Sequence, residues 1–287
     1  MKNDVFNIIK QNYNDMSKGH KKIADYLLEN YQKASFMTAA SLGQTVGVSE
    51  STVVRFATEL GYDGYPDFQE KLRSIMKTCL TSMQRVEVAS NQMKNEDIYE
   101  KVMSLDIERI RDTIESGDRV AFAGAVDAII SARKIYIVAS RSAAALAEFL
   151  NYYFSIIFED VRLLKNLGTS DLLQQLFRVQ KGDVVIGISF PRYSKQTNVA
   201  MKHASESGAT VIAITDNDSS PIAEGATHVL TAGSDMVSFA DSLVAPLSLI
   251  NSIVVAVSLK KENEINQNFE KLESLWDEFD VYEKSDR

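Results

Sequence analysis

Residues Asp183–Thr197 read DVVIGISFPRYSKQT: a continuous apolar run rich in β-branched residues, a polar turn, then a helical pattern. Apolar residues at successive rather than alternating positions mark a strand covered on both faces, the habit of parallel sheets sandwiched between helices. In such open sheets ligands bind outside the carboxyl ends of the strands. The turn offers Ser189, Arg192, Tyr193, Ser194 and Thr197 at a helix N-terminus, a set that suits an anion. The same residues equally suit plain helix capping, with Ser194 as the N-cap. The neighbouring segments decide between the two.

The chain has 287 residues, 45% hydrophobic and 24% charged, which is the make-up of an ordinary globular protein with room for one large or two smaller domains. A single cysteine, Cys79, excludes an internal disulfide and fits a reducing cytoplasm. His20, His203 and His228 are too scattered to form a metal site by spacing, so no metal is expected. The opening MKNDVFNIIKQ is broken by charged and polar residues and contains no secretory apolar core. The longest apolar stretch, Leu243–Leu259, carries Pro246, Asn251 and three serines and falls short of the roughly 20 residues of a membrane span, so a buried helix is expected there and no membrane. Net charge is −8, but it is unevenly spread. Residues 1–77 hold ten Lys and Arg against nine Asp and Glu, leaving 21 of the 31 bases and 30 of the 39 acids to the remainder. A near-neutral N-terminal domain still binds DNA if its bases face one way.

In chain order, Val5, Ile8, Ile9 and Tyr13 follow helical spacing, and Ser17 caps a second helix with Ile23, Tyr26, Leu27 and Tyr31 as its apolar stripe. Next, Ala39, Ala40 and Leu42 precede Gly47, and Ser49 caps a helix carrying Val53, Val54, Phe56, Ala57 and Leu60. Helix, short glycine turn, helix is the layout in which a second helix lays its N-terminal residues in the DNA major groove. With Val53, Val54 and Phe56 inward, Glu50, Ser51, Thr52, Arg55 and Glu59 face outward. Arg55 suits a bidentate contact to guanine, and Ser51 and Thr52 suit bases or phosphates; an ordinary solvated face is the alternative. A further helix begins at Pro66, and its Lys71 and Arg73 either contact phosphate or are simply solvated. The expected DNA-binding set is Ser49, Ser51, Thr52, Arg55 and Lys71.

Residues 78–95 are polar and aperiodic and read as a linker between a DNA-binding domain at 1–77 and a second domain at 96–287. Two helical patterns follow, through Ile98, Val102, Leu105, Ile110 and Ile114, then Val120, Phe122, Ala125, Ile129 and Ile130. Strands are predicted at Lys134–Ala139, Val161–Lys165, Val184–Ser189, Thr210–Thr215 and His228–Ala232, with helices between. Five parallel strands with crossovers define a flavodoxin-like, doubly wound α/β domain.

Three stretches in this order, GVSESTVVRFATELGY, SFPRYSKQT and GATVIAITDNDSSPIAEGATHVL, make the chain resemble the RpiR-type bacterial transcription regulators. Their C-terminal half is a sugar isomerase (SIS) domain. The resemblance implies a cytoplasmic regulator, a homodimer or a dimer of dimers, that binds operator DNA and senses a small anionic metabolite, commonly a phosphorylated sugar. Its first ligand loop falls on ASRSAAALAEF, where this chain has Ala139 and Arg141 at positions that are commonly glycine and keeps Ser142. In the second loop the usual Ser-x-Ser-Gly-x-Thr keeps hydroxyls at Ser189 and Ser194 but places Pro191 and Arg192 at the Ser-Gly pair. Lost glycines remove a close backbone approach to phosphate, while the two arginines add bidentate donors for a phosphate or carboxylate. The ligand-binding set implied is therefore Arg141, Ser142, Ser189, Arg192 and Ser194. Ser238, in the loop before the apolar helix, is implied to overhang the crevice.

SIS domains also occur in isomerases, and a sugar-phosphate isomerase with a helical appendage is the alternative. Isomerisation needs a base beside the substrate carbon. Glu148 and Glu224 are the nearest carboxylates by sequence, and both suit solvated helix positions better. No Walker A or dinucleotide glycine fingerprint is present, so no cofactor and no enzyme activity are expected. The C-terminal EINQNFEKLESLWDEF places Phe269, Leu272, Leu275, Trp276 and Phe279 at helical spacing. It, the apolar helix before it, or both are expected to be buried, and the earlier helix, apolar almost all round, is expected to place part of its surface against a second subunit or else wholly against its own sheet.

Overall fold

The structure, a computed structural model, describes residues 5–79, 81, 83–86, 97–164, 168–234 and 240–283. The chain divides into two compact units, Met1–Gln84 and Arg85–Arg287. Most of the segment read as a linker, and Ser238 and Lys165, lie outside the described residues; within that segment residues 83–86 form a helical turn.

The first unit is helical: α1 Val5–Asn12, a 3-10 turn Tyr13–Asp15, α2 Lys18–Ala34, α3 Ala39–Val46, α4 Glu50–Glu59 and α5 Tyr65–Cys79. The N-caps of α2, α3 and α4 are Ser17, Thr38 and Ser49. Each side-chain oxygen accepts the amide hydrogen three residues on, the bond that satisfies an otherwise orphaned donor at a helix start. Gly47 ends α3 in the left-handed region at φ 71°, which a glycine adopts without a Cβ clash. Gly43 is required for a different reason. A Cβ there would stand 2.8 Å from the Val48 carbonyl oxygen, so the turn between α3 and α4 closes against bare backbone. Val5, Ile9, Ile23, Leu27, Leu42, Val53, Phe56, Phe68 and Leu72 form the core of the unit. Val54 departs from the sequence expectation, being 39% exposed, because two successive residues on a helix lie about 100° apart and Val53 takes the core direction.

In the second unit α6 (Ile98–Ser116) and α7 (Arg119–Ile130) precede the α/β alternation. It runs β1 Lys134–Ala139, α8 Ala144–Ile157, β2 Val161–Leu164, α9 Thr169–Leu176, β3 Asp183–Ile188, α10 Lys195–Glu206, β4 Thr210–Thr215 and β5 His228–Thr231. Helices α11 (Val244–Lys260) and α12 (Glu262–Glu278) follow. All strand pairings are parallel, in the order β2-β1-β3-β4-β5, the flavodoxin-like order. Ser189 and Ala232, expected as last strand residues, fall just past β3 and β5.

The sheet is buried on both faces by alternate residues. Ile135, Ile137, Val184, Ile186, Ile188, Ile212 and Ile214 meet α7, α8 and α11, whereas Tyr136, Val138, Val185, Val211 and Ala213 meet α9 and α10. Gly187 in β3 is part of that fit, since a Cβ there would overlap the Met201 side chain of α10. Helix α11 buries Ala245, Ile250, Ile253 and Val257. Of the two C-terminal helices it is α11 that is buried; α12 has no fully buried residue, and its Ile265 packs partly buried against the same core. No single helix among the described residues is long and apolar enough to cross a membrane.

Candidate functional site

Each unit presents a surface with chemistry. In the first it is α4, on which Ser51, Val54, Arg55 and Thr58 are all exposed at the i, i+3, i+4 and i+7 spacing of a single face. At its N-terminus Ser49 Oγ lies 2.9 Å from Ser51 Oγ and 2.8 Å from Thr52 Oγ1, so three expected residues form one hydroxyl cluster around the cap. Thr52 is only half exposed. Its methyl lies 3.3 Å from the position a Cβ would take on Gly19 of α2, so it also spaces α4 from α2. Glu59 accepts from Nδ1 of the buried His20 at 3.0 Å when that imidazole carries the proton, and its side chain stays largely exposed. Lys71 is exposed on α5, apart from the hydroxyl cluster. Arg73 Nε donates to the Ser35 carbonyl at 3.0 Å, and its guanidinium lies over the Phe36 ring, a role in packing that the sequence left open.

In the second unit the site sits where the strand order reverses. Strands β1 and β3 are neighbours, with Ala139 opposite Ile188, so the loops that follow them leave the sheet side by side, at the position where doubly wound sheets bind ligands. Between the loops is a cavity of about 330 Å³. Ser140, Arg141, Ser142 and Ala143 line it from the first loop, and Ser189, Phe190, Pro191, Arg192 and Ser194 from the second. All five residues expected for the ligand are therefore brought together. Ala240 and Leu243 line it as well, with two charged residues, Arg85 and Asp241, which are ion-paired at 2.7 Å. Neither carries a local motif, and only folding brings residues 156 positions apart together.

The second loop is anchored by its own polar groups. Ser189 is buried, donates its amide hydrogen to the Ile214 carbonyl at 3.1 Å, and accepts from the Ser194 amide at 3.1 Å. Ser194 in turn caps α10 by accepting from the Thr197 amide at 3.3 Å, so capping and cavity lining belong to the same residue. Tyr193 and Thr197 do not line the cavity. The Tyr193 hydroxyl donates to Asp216 at 2.8 Å, and burial, with the Asp216 carboxylate adding to it, pushes the phenol far above its usual range. Thr197 is fully buried.

Arg141 and Arg192 have φ of 59° and 65°. The left-handed region disfavours a residue with a Cβ by about 1–2 kcal/mol, and such strain concentrates at functional sites. Both loops thus keep a glycine-like backbone path but carry a guanidinium on it. Glu148 and Glu224 are exposed and line no part of the cavity. His203 bonds the Leu176 carbonyl between α10 and α9. The carboxylate that does reach the cavity, Asp241, is held by Arg85.

A helical unit with an outward polar row on the second helix of a helix-turn-helix, joined to a doubly wound domain with a cavity at its switch point, defines a ligand-linked DNA-binding regulator. The helix-turn-helix domain of the rpiR family matches residues 3–78 and the SIS domain matches residues 128–256, and the chain belongs to this family of transcription regulators. An uncharacterized HTH-type transcriptional regulator of Caldanaerobacter subterraneus is 26% identical over 91% of this chain and 93% of its own length. HexR of Escherichia coli, an HTH-type transcriptional regulator, is 25% identical over 92% of this chain and 91% of its own. Among solved structures, the sugar isomerase domain of an RpiR transcription factor from Sphaerobacter thermophilus superposes with a TM-score of 0.58 at 28% identity. It covers 61% of this chain and 97% of its own. NanR of Vibrio vulnificus superposes at 0.60 with 22% identity, over 96% and 98% of the two chains, and shares the fold. The relatives of nearly full length are regulators, and the chain is a transcription regulator rather than an isomerase.

Proposed function

We propose that the cavity of the SIS domain binds a small anionic metabolite and that its occupancy sets the affinity of the helix-turn-helix for operator DNA. The observation that carries this is the convergence of two left-handed arginines, Arg141 and Arg192, on one cavity that also holds the hydroxyls of Ser142, Ser189 and Ser194. Guanidinium groups bind phosphate or carboxylate oxygens in pairs, and hydroxyls complete the acceptor shell. The N-terminus of α10 adds its partial positive charge at the same wall. Phosphorylated sugars fit this chemistry, and the NanR structure contains ManNAc-6P, which makes that compound a natural member of a test panel. On the DNA side Ser51, Thr52 and Arg55 are the reading residues, Ser49 and Lys71 the phosphate contacts.

The same reading includes a homodimer. Tyr152 on α8, Val255 and Leu259 on α11, and Phe269 and Leu275 on α12 are large apolar side chains left exposed on helices that pack on one another. A second copy covers them, because a regulator reading two half-sites needs two reading helices. Operator binding titrated with and without a panel of sugar phosphates, sugar acids and inorganic phosphate tests the whole reading. The expected result is a shift in operator affinity with one class of anion that Arg192→Ala abolishes; no shift with any anion, in a protein that binds DNA, overturns it.

A further inference from the structure

Arg85 belongs to neither ligand loop. It lies in the helical turn over 83–86, and it is the first residue of the second compact unit, the first unit ending at Gln84. Its side chain is nonetheless 2% exposed, with Nη1 donating to Asp241 Oδ1 at 2.7 Å. A cation buried this deeply needs a partner, since removing that partner strands the charge in a poorly solvated place. Both members of the pair line the same cavity as Arg141 and Arg192.

We infer that Arg85 is a third anion-binding arm of the cavity, that Asp241 competes with the anion for it, and that this exchange is how the start of the second unit registers the ligand. The inference rests on the reading that the cavity takes an anion. Among the described residues, an anion entering between the two loops meets three guanidinium groups and one carboxylate. The Asp241 carboxylate repels it and already occupies one of the donors of Arg85, so anion and carboxylate contend for the same group. A phosphoryl group, with up to two charges and three oxygens, matches the guanidinium fork better than a single carboxylate oxygen does. When it takes Arg85 over, the bond to Asp241 lengthens or breaks. The backbone that moves with Arg85 is the point at which the chain arrives from Gln84, so a change at one side chain becomes a change in how the chain enters the unit. A ligand shifts such an equilibrium only through its different affinity for the two arrangements, and the Arg85 pairing is a difference of that kind.

Hydrogen–deuterium exchange on the full chain, titrated with inorganic phosphate, tests this with two separate readouts. Protection of residues 140–143 and 189–194 reports binding itself; exchange at residues 83–86 reports the response of Arg85. Wild type is expected to show both, at the same phosphate concentration. Asp241→Asn removes the competing charge and leaves the buried Arg85 to the anion, so it is expected to be less stable without phosphate and to bind phosphate several-fold more tightly. Because Arg85→Ala alone leaves Asp241 without its partner and threatens folding, the double variant Arg85→Ala/Asp241→Asn is the informative one. It is expected to retain weakened loop protection and to lose the change at 83–86. Loop protection in wild type with no change at 83–86, or a double variant binding as tightly as wild type, overturns the role of Arg85 while leaving the cavity reading intact. Absence of loop protection at any phosphate concentration removes both.

Discussion

Arg192 puts stability and binding in opposition within one residue. Its φ of 65° is a glycine conformation, so Arg192→Gly is expected to raise thermal stability by about 1 kcal/mol while removing a guanidinium from the cavity. Measured together, a higher unfolding midpoint and a weaker response to anion are the expected pair; a destabilised Arg192→Gly contradicts the strain argument. On α4, Val54 is the residue whose meaning changes most between sequence and structure. It is exposed beside Arg55 on the outward row, which adds an apolar side chain to the face proposed to read DNA, the kind of group that contacts a thymine methyl. Arg55→Ala is expected to cost about 1–3 kcal/mol against the preferred operator and to relax its sequence preference, whereas Lys71→Ala weakens all DNA alike and flattens the salt dependence. Binding isotherms across a salt titration separate the two. With the cavity carboxylate Asp241 tied to Arg85 and Glu148 outside, no carboxylate among the described residues is poised for enolisation. Aldose and ketose phosphates incubated with the protein in deuterated water are therefore expected to gain no deuterium beside the carbonyl.

Among the elements, β3 and α10 form the unit that builds the site. The strand carries a glycine where α10 presses closest, and α10 starts at the capped Ser194 that also lines the cavity. Gly187→Ala inserts a methyl where Met201 lies, and overpacking of a filled core costs typically about 1–3 kcal/mol. The expected outcome is a lower unfolding midpoint together with weakened anion binding, since α10 and its N-terminal turn must shift as one piece; a loss of stability with binding untouched argues that the loop is positioned by Ser189 alone. At α4 the corresponding unit is the Gly43 approach and the Gly47 turn, which fix the angle at which the helix is presented.

For the molecule as a whole, the exposed apolar side chains of α8, α11 and α12 and the need for two reading helices point the same way. Leu259→Glu and Leu275→Glu, both at exposed positions, are expected to leave the monomer folded and to shift its sedimentation from dimer to monomer, with operator affinity falling because two half-sites about 34–36 Å apart are no longer bound together. An undiminished dimer in the double variant places the second copy elsewhere. Coupling between the cavity and DNA is reciprocal: an anion that weakens operator binding by some factor is itself bound more weakly, by the same factor, on operator. Titrating anion in the presence and absence of operator checks that equality directly.

Read alone, the sequence determines the order of elements, because their signals are local. The unbroken apolar run at 184–188 announces a strand covered on both faces, Ser17, Ser49 and Ser194 announce helix starts, and Gly47 announces the turn between α3 and α4. The second loop of the cavity was legible for the same reason, being a few consecutive residues after a strand, whereas the first was implied only by the family resemblance. What lies across the fold was not legible. Arg85 is an arginine in a polar stretch until Asp241, far along the chain, is folded against it, and no spacing rule spans that distance. Tyr193 and Thr197 sit in the right turn by sequence, yet one is drawn to Asp216 and the other into the core. The exposure of Val54 and of α12 depends on which face a neighbour has already covered. Periodicity tells how many apolar faces a helix has, and only tertiary packing decides which of them is buried within the chain and which is left for DNA, ligand or a second copy.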